Sequence, residues 1–187
     1  MIMVRKVIRK LPPVIFAGVL GMFLSTGALA LPQSLADKLE VDEAEWNKLG
    51  EARYRRLMIH VYDARLWVSN NDEEPARDRP LMLEIQYARS LSAEELAEHT
   101  AEDMVELGQC ESVEDCWSEE ELARFEDVER GDDFVIWYRP DGTSGFYLNG
   151  ELRSENSDAG EVWDFLAIWL SPDSPYPRVR DGLLGDR

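Results

Sequence analysis

Two cysteines, two histidines and several acidic pairs are the residues with the clearest capacity for chemistry. Cys110 and Cys116 stand in GQCESVEDCW. A metal site would need further ligands, and that stretch holds no His; redox catalysis usually shows a Cys-x-x-Cys pair. In an exported chain an even cysteine count reads as a disulfide, here a structural staple worth roughly 2–2.5 kcal/mol by the chain-entropy argument. His60 and His99 lie far apart without ligand spacing and read as solvated or locally satisfied. Asp132-Asp133 and Asp141 suggest calcium, but without the EF-hand pattern they read as loop caps. Glu98 and Glu102 are an acid pair at i,i+4 on the polar face of a helix, which reads as a solvated surface. There is no Gly-x-Ser-x-Gly, phosphate loop or dinucleotide fingerprint. These residues therefore name no catalytic group, metal or cofactor.

The elements that must position any site are legible from periodicity. WNKLGEARYRRLMIHVYDARLWV, residues 46–68, is aromatic and branched with partial alternation, and predicts two strands with a bend near Arg55. LMLEIQY (81–87) predicts another. Ser92 with Glu95 three residues later forms a capping box opening a helix that Gly108 ends. Leu96, Thr100, Met104 and Leu107 share one stripe of it. Ser118 with Glu121 repeats the signature for a helix to about Asp127. Phe134 to Arg139 and Gly145 to Leu148 predict a hairpin around Asp141-Gly142, and Asn149-Gly150 a second reversal. Asp158 to Leu170 reads as a helix apolar on most sides, hence buried. Residues 31–44 read as a polar lead-in. Strand and helix clusters that do not strictly alternate predict an α+β fold, a mostly antiparallel sheet with helices on one face.

The N-terminus carries Arg5, Lys6, Arg9 and Lys10, then an apolar run from Leu11 to Ala28 and the small-x-small ending Ala28-Leu29-Ala30. That pattern predicts a secretory signal peptide over residues 1–30, cleaved after Ala30 into the periplasm or outside the cell; an uncleaved anchor is the alternative. Residues 31–187 are then one domain. Without residues 1–30 the chain holds 16 Lys and Arg against 38 Asp and Glu, a formal charge of −22. Such a surface repels nucleic acid and anionic lipid, so neither is expected as a partner, and stable membrane insertion after cleavage is not expected. Six Trp, six Tyr and regular periodicity argue against disorder.

Four stretches in order resemble the bacterial, periplasmic chalcone isomerase-like family: GEARYRRLMIHVYDARLWV (50–68), LEIQYARSLSAEEL (83–96), the strand from Gly131-Asp132 through FYLNG (146–150), and IWLSPDSPYPRVRDGLLG (168–185). The resemblance implies an open-faced β-sandwich, a large antiparallel sheet with helices over one face enclosing an apolar cleft. The plant isomerases of this fold close a flavanone ring by phenolate attack on an enone, with Arg, Thr, Tyr and Asn around the cleft. On this sequence Tyr62 stands where the Thr belongs, Leu96 replaces the Tyr and Asp103 the Asn, while Arg53 is kept. A phenol stabilises the developing enolate by donating a hydrogen bond, and Leu cannot; one such donor is worth about 3 kcal/mol. Chalcone turnover is not expected.

An Arg and a Tyr at the mouth of an apolar cleft suit a carboxylate, since the guanidinium offers a planar fork and the phenol a third donor. Non-catalytic plant relatives of the fold bind fatty acids through such a pair, so the resemblance implies non-catalytic binding of a small apolar acid at Arg53 and Tyr62. Nine residues apart, the two face opposite sides of an uninterrupted strand, so sharing a face demands a turn or bulge between Arg55 and Leu57. The alternatives are an isomerase or lyase on another substrate, and an interaction module whose cleft is only core.

Overall fold

The computed structural model describes residues 31–69, 72–156 and 158–185. The predicted signal peptide therefore lies outside the described residues. Six strands, β1 (Trp46–Arg56), β2 (Ile59–Ser69), β3 (Leu81–Tyr87), β4 (Asp133–Tyr138), β5 (Ser144–Leu148) and β6 (Glu151–Asn156), form one antiparallel sheet in sequence order. The helices are α1 (Gln33–Leu39), α2 (Ala93–Glu106), α3 (Glu119–Leu122), α4 (Ala159–Leu170) and α5 (Pro177–Leu183). The α+β class, the antiparallel sheet and the Ser92–Glu95 capping box all stand as read from the sequence.

The pleat sorts the strands into two faces. Ala64, Leu66 and Val68 of β2, Leu83 and Ile85 of β3 and Ile136 of β4 pack under α4 and α5 through Val162, Leu166, Val179 and Leu183. Gly50 of β1 lets α5 close in. A Cβ there would stand 2.5 Å from the Leu183 carbonyl oxygen, and one on Gly182 would stand 2.8 Å from that of Glu51.

The other face is also covered. Trp46, Trp67, Met82 and Val135 form a second core with Leu31, Leu35, Ala36 and Leu39. Glu84 is buried on this face, where it accepts from Arg65 Nη1 at 2.8 Å and Trp67 Nε1 at 2.9 Å. The polar lead-in expected over 31–44 is thus partly the helix α1, whose three apolar residues sit among polar ones. Two further expectations change. The helix opened by Ser118 runs only to Leu122, and the Asn149-Gly150 reversal leads into the strand β6, whose sequence ELRSEN is too polar to announce an edge strand.

Candidate functional site

The site begins with the register of the β1–β2 hairpin. Tyr54 stands opposite Tyr62, and Arg53 opposite Asp63. Directly paired residues point to the same face, so the two tyrosines face the helices, with ring centroids 4.9 Å apart. Arg53 and Asp63 face the other way. Arg53 Nε donates to Asp63 Oδ1 at 2.7 Å and Nη2 to Oδ2 at 3.3 Å; His60 Nε2 lies 3.2 Å from the same carboxylate. The structure therefore does not bring Arg53 and Tyr62 together. The bulge expected between Arg55 and Leu57 is found instead between Tyr54 and Arg55, with Val61 as the extra residue on β2. It lies beyond Arg53, however, and cannot turn that side chain over. It brings Ile59 to the helix side, opposite Arg56, which shares the face of Tyr54 by simple alternation along β1.

On that side a cleft of about 720 Å³ opens between the sheet, α2, α4 and the segment that follows α2. Its walls include Ile85, Leu96, Met104, Phe146, Phe165 and Trp169. Phe165 meets Trp169 and Phe146 edge to face, at 5.7 and 6.0 Å. The disulfide Cys110–Cys116, Cα atoms 5.3 Å apart, closes the turn after α2. Trp117 Nε1 donates to the Ala97 carbonyl at 3.0 Å and holds that segment against the helix.

Polar groups in the lining form two pairs. Trp169 Nε1 donates to Tyr62 Oη at 2.9 Å, and Tyr176 Oη donates to Asp103 Oδ1 at 2.6 Å. Tyr54 lies edge-on to Tyr176, centroids 4.7 Å apart. Burial pushes the Tyr62 and Tyr176 hydroxyls well above the usual phenol range, and the Asp103 carboxyl beside Tyr176 adds to its shift. Burial also pushes Asp103 up to about 6; Glu106 and Glu102 act the same way, against the Tyr176 hydrogen bond. Cations sit at the rim. Arg56 Nη1 donates to the His99 ring, with Nδ1 at 2.9 Å, and Nη2 lies 3.7 Å from Glu102 Oε2. Exposed Arg89 reaches only the Ser90 carbonyl, at 3.3 Å, and has no ion pair among the described residues.

Tyr54, Arg56, Asp103 and Tyr176 were not singled out as site residues by sequence reasoning. A signal existed for Asp103, which stands seven residues after Leu96 on the otherwise apolar stripe of α2. Arg56 shares the face of Tyr54 by strand alternation, whereas its partner Ile59 reaches that face only through the bulge on β2. Asp132 acts as a loop cap, accepting from the Glu129 amide at 2.8 Å and Asn149 Nδ2 at 3.0 Å. Among the described residues no group of three or more His, Cys, Asp or Glu could hold a metal, and no helix is long and apolar enough to cross a membrane.

No family model matches the sequence. Over 142 residues the chain is 28% identical to an uncharacterized protein of Haemophilus influenzae, covering 76% of this chain and 69% of that protein. The crystal structure of a fatty-acid binding protein from Arabidopsis thaliana is similar with a TM-score of 0.57 at 12% identity, over 84% of this chain and 90% of that one. At that identity the likeness speaks for architecture. The six-stranded antiparallel sheet with its helices is the chalcone isomerase-like fold.

Proposed function

We propose that this chain is an exported bacterial member of the chalcone isomerase-like family that holds a long-chain apolar acid in its cleft without covalent chemistry. The observation that carries this reading is an apolar cleft of about 720 Å³ with Arg56 and Arg89 at its rim. The volume lies within the range of small-molecule sites, and a guanidinium binds a carboxylate through paired, charge-assisted bonds. The fatty-acid binding plant protein of the same fold supports the ligand class. The pattern of residues 1–30 supports export. In this reading the head group belongs to Arg56 and Arg89. Arg53 stays with Asp63, and Tyr62, its hydroxyl engaged by Trp169, contributes wall.

Calorimetry on delipidated protein with hexadecanoate and its methyl ester tests this. The acid should bind at one site and the ester at least tenfold more weakly. Arg56→Gln with Arg89→Gln should bring the acid down to the ester's level, while Arg53→Ala leaves it unchanged. Equal affinity for acid and ester would remove the head-group role of the rim arginines.

One observation favours a second reading, an isomerase or lyase. Asp103, with its pKa near 6 and Tyr176 against it, could exchange a proton with a bound substrate. Chalcone itself is a poor candidate, because Tyr62, Leu96 and Asp103 replace the plant side chains. Cyclisation at the buffer rate is the expected result, and stereoselective flavanone formation that depends on the protein would establish the second reading.

A further inference from the structure

The β1–β2 hairpin turns through two residues, Leu57 and Met58, both in the left-handed region at φ 49° and 72°. Such a two-residue turn is where Asn-Gly normally stands, because a side chain there crowds the backbone. Here it presents two large apolar side chains to solvent, Leu57 90% and Met58 85% exposed, and Ile59 extends the patch at 54%. Strain held at a position that packs against nothing points to a role outside the fold.

The charge around the tip is opposite to that of the molecule. No acidic residue lies between Glu51 and Asp63, while Arg53, Arg55 and Arg56 do. Arg53 is held by Asp63, and Arg56 is shared with His99 and Glu102. Arg55 has no ion pair among the described residues, and Arg89 stands on the same rim as Leu57 and Ile59.

We propose that this tip docks on an anionic phospholipid surface, with Leu57 and Met58 in the interface and Arg55, Arg56 and Arg89 on headgroup phosphates. An apolar tip with flanking arginines and no interleaved acid matches the chemistry of that interface. A second copy of the chain fits less well, because tip-to-tip contact would set arginine against arginine. The charge of −22 is that of residues 31–187 as a whole, its acids lying outside the tip, and its repulsion is screened beyond about 8 Å at physiological ionic strength. Glu102 lies 3.7 Å from Arg56 and offsets part of its charge, and Glu95 feels the charge of Arg89. Docked this way, the cleft rim would face the lipid. The inference goes beyond the cleft reading, with which it shares Arg56 and Arg89 at the rim, and its own observation is the exposed Leu57-Met58 turn beside Arg55.

The test is co-flotation of the mature protein with vesicles of phosphatidylethanolamine and phosphatidylglycerol, beside vesicles of phosphatidylcholine only. Wild type should float with the anionic vesicles and at least tenfold less with the neutral ones. Leu57→Asn with Met58→Gly gives the turn its preferred residues, so the thermal midpoint should hold or rise while flotation falls at least tenfold. Arg55→Gln should weaken flotation on anionic vesicles only. Wild type that stays free of anionic vesicles, or a double variant that floats as well as wild type, overturns the proposal. So does a hairpin-dependent dimer in sedimentation without vesicle binding. Acid binding is measured on wild type without vesicles, so the cleft reading and this one fail separately.

Discussion

Asp103 is a carboxylate in the cleft wall whose protonation state changes well above the usual carboxylate range. Its folded pKa of about 6 lies above the ordinary 3.8 because burial disfavours the charge. Between those values the folded chain holds a proton that the unfolded chain has released. Folding is therefore favoured by this group at low pH, and that contribution is lost as pH rises from about 4 to about 6. An ionised Asp103 also repels a bound carboxylate. Affinity for an acid should accordingly be higher at pH 5.5 than at pH 8, by a few-fold to tenfold, whereas an apolar alcohol should bind alike at both. Asp103→Asn should flatten both dependences, and calorimetry and thermal melts of the two proteins at the two pH values would show it. A wild type whose affinity rises with pH would mean that the carboxylate sits away from Asp103. Arg53 teaches the complementary lesson. The strand parity that separates it from Tyr62 was legible in the sequence, but the position of the bulge at Val61 was not, because a bulge is a property of the paired strands.

At the scale of elements, close approach matters as much as apolar pattern. The glycines of GEARYRRL and RVRDGLLG, two segments far apart in the chain, meet where β1 supports α5. A glycine inside a strand signals that another backbone comes near, so the contact had a trace in the sequence although its partner did not. Gly50→Ala should destabilise by about 2–3 kcal/mol, the usual result of overpacking against something that cannot rotate aside. Urea denaturation would show it as a lower midpoint at unchanged slope. A neutral outcome would mean that α5 slides along β1 at little cost. The long capped helices α2 and α4 were legible because side-chain caps and a sustained 3.6-residue period are local. The brevity of α3 and the existence of β6 were not, since both are decided by neighbours: the bridge from Val128 to Leu91 that follows one, a sheet edge at the other.

For the whole molecule, the informative fact is that the sheet is apolar on both faces. The resemblance implied helices over one face, and α2, α4 and α5 do cover one. Yet Trp46, Trp67, Met82 and Val135 point the other way, and a sheet with two apolar faces needs two covers. The second cover is α1 with Leu31, which is almost fully buried. Its signal was weak because four apolar residues among polar ones make a short stripe, easily read as a lead-in. If export ends with cleavage after Ala30, Leu31 becomes the first residue of the mature chain and stands at the edge of this second core. Removing residues 31–44 should then uncover the tryptophans. Burial of three leucines contributes about 1.5–3 kcal/mol each, part of which is returned as entropy when the segment is freed, so a net loss of about 2–3 kcal/mol is expected. The truncated chain should also bind an apolar dye and self-associate, while keeping the cleft on the opposite face and its affinity for a long-chain acid. Retention of the full melting temperature without dye binding would show that α1 is an accessory, and that the sheet tolerates water on its tryptophan face.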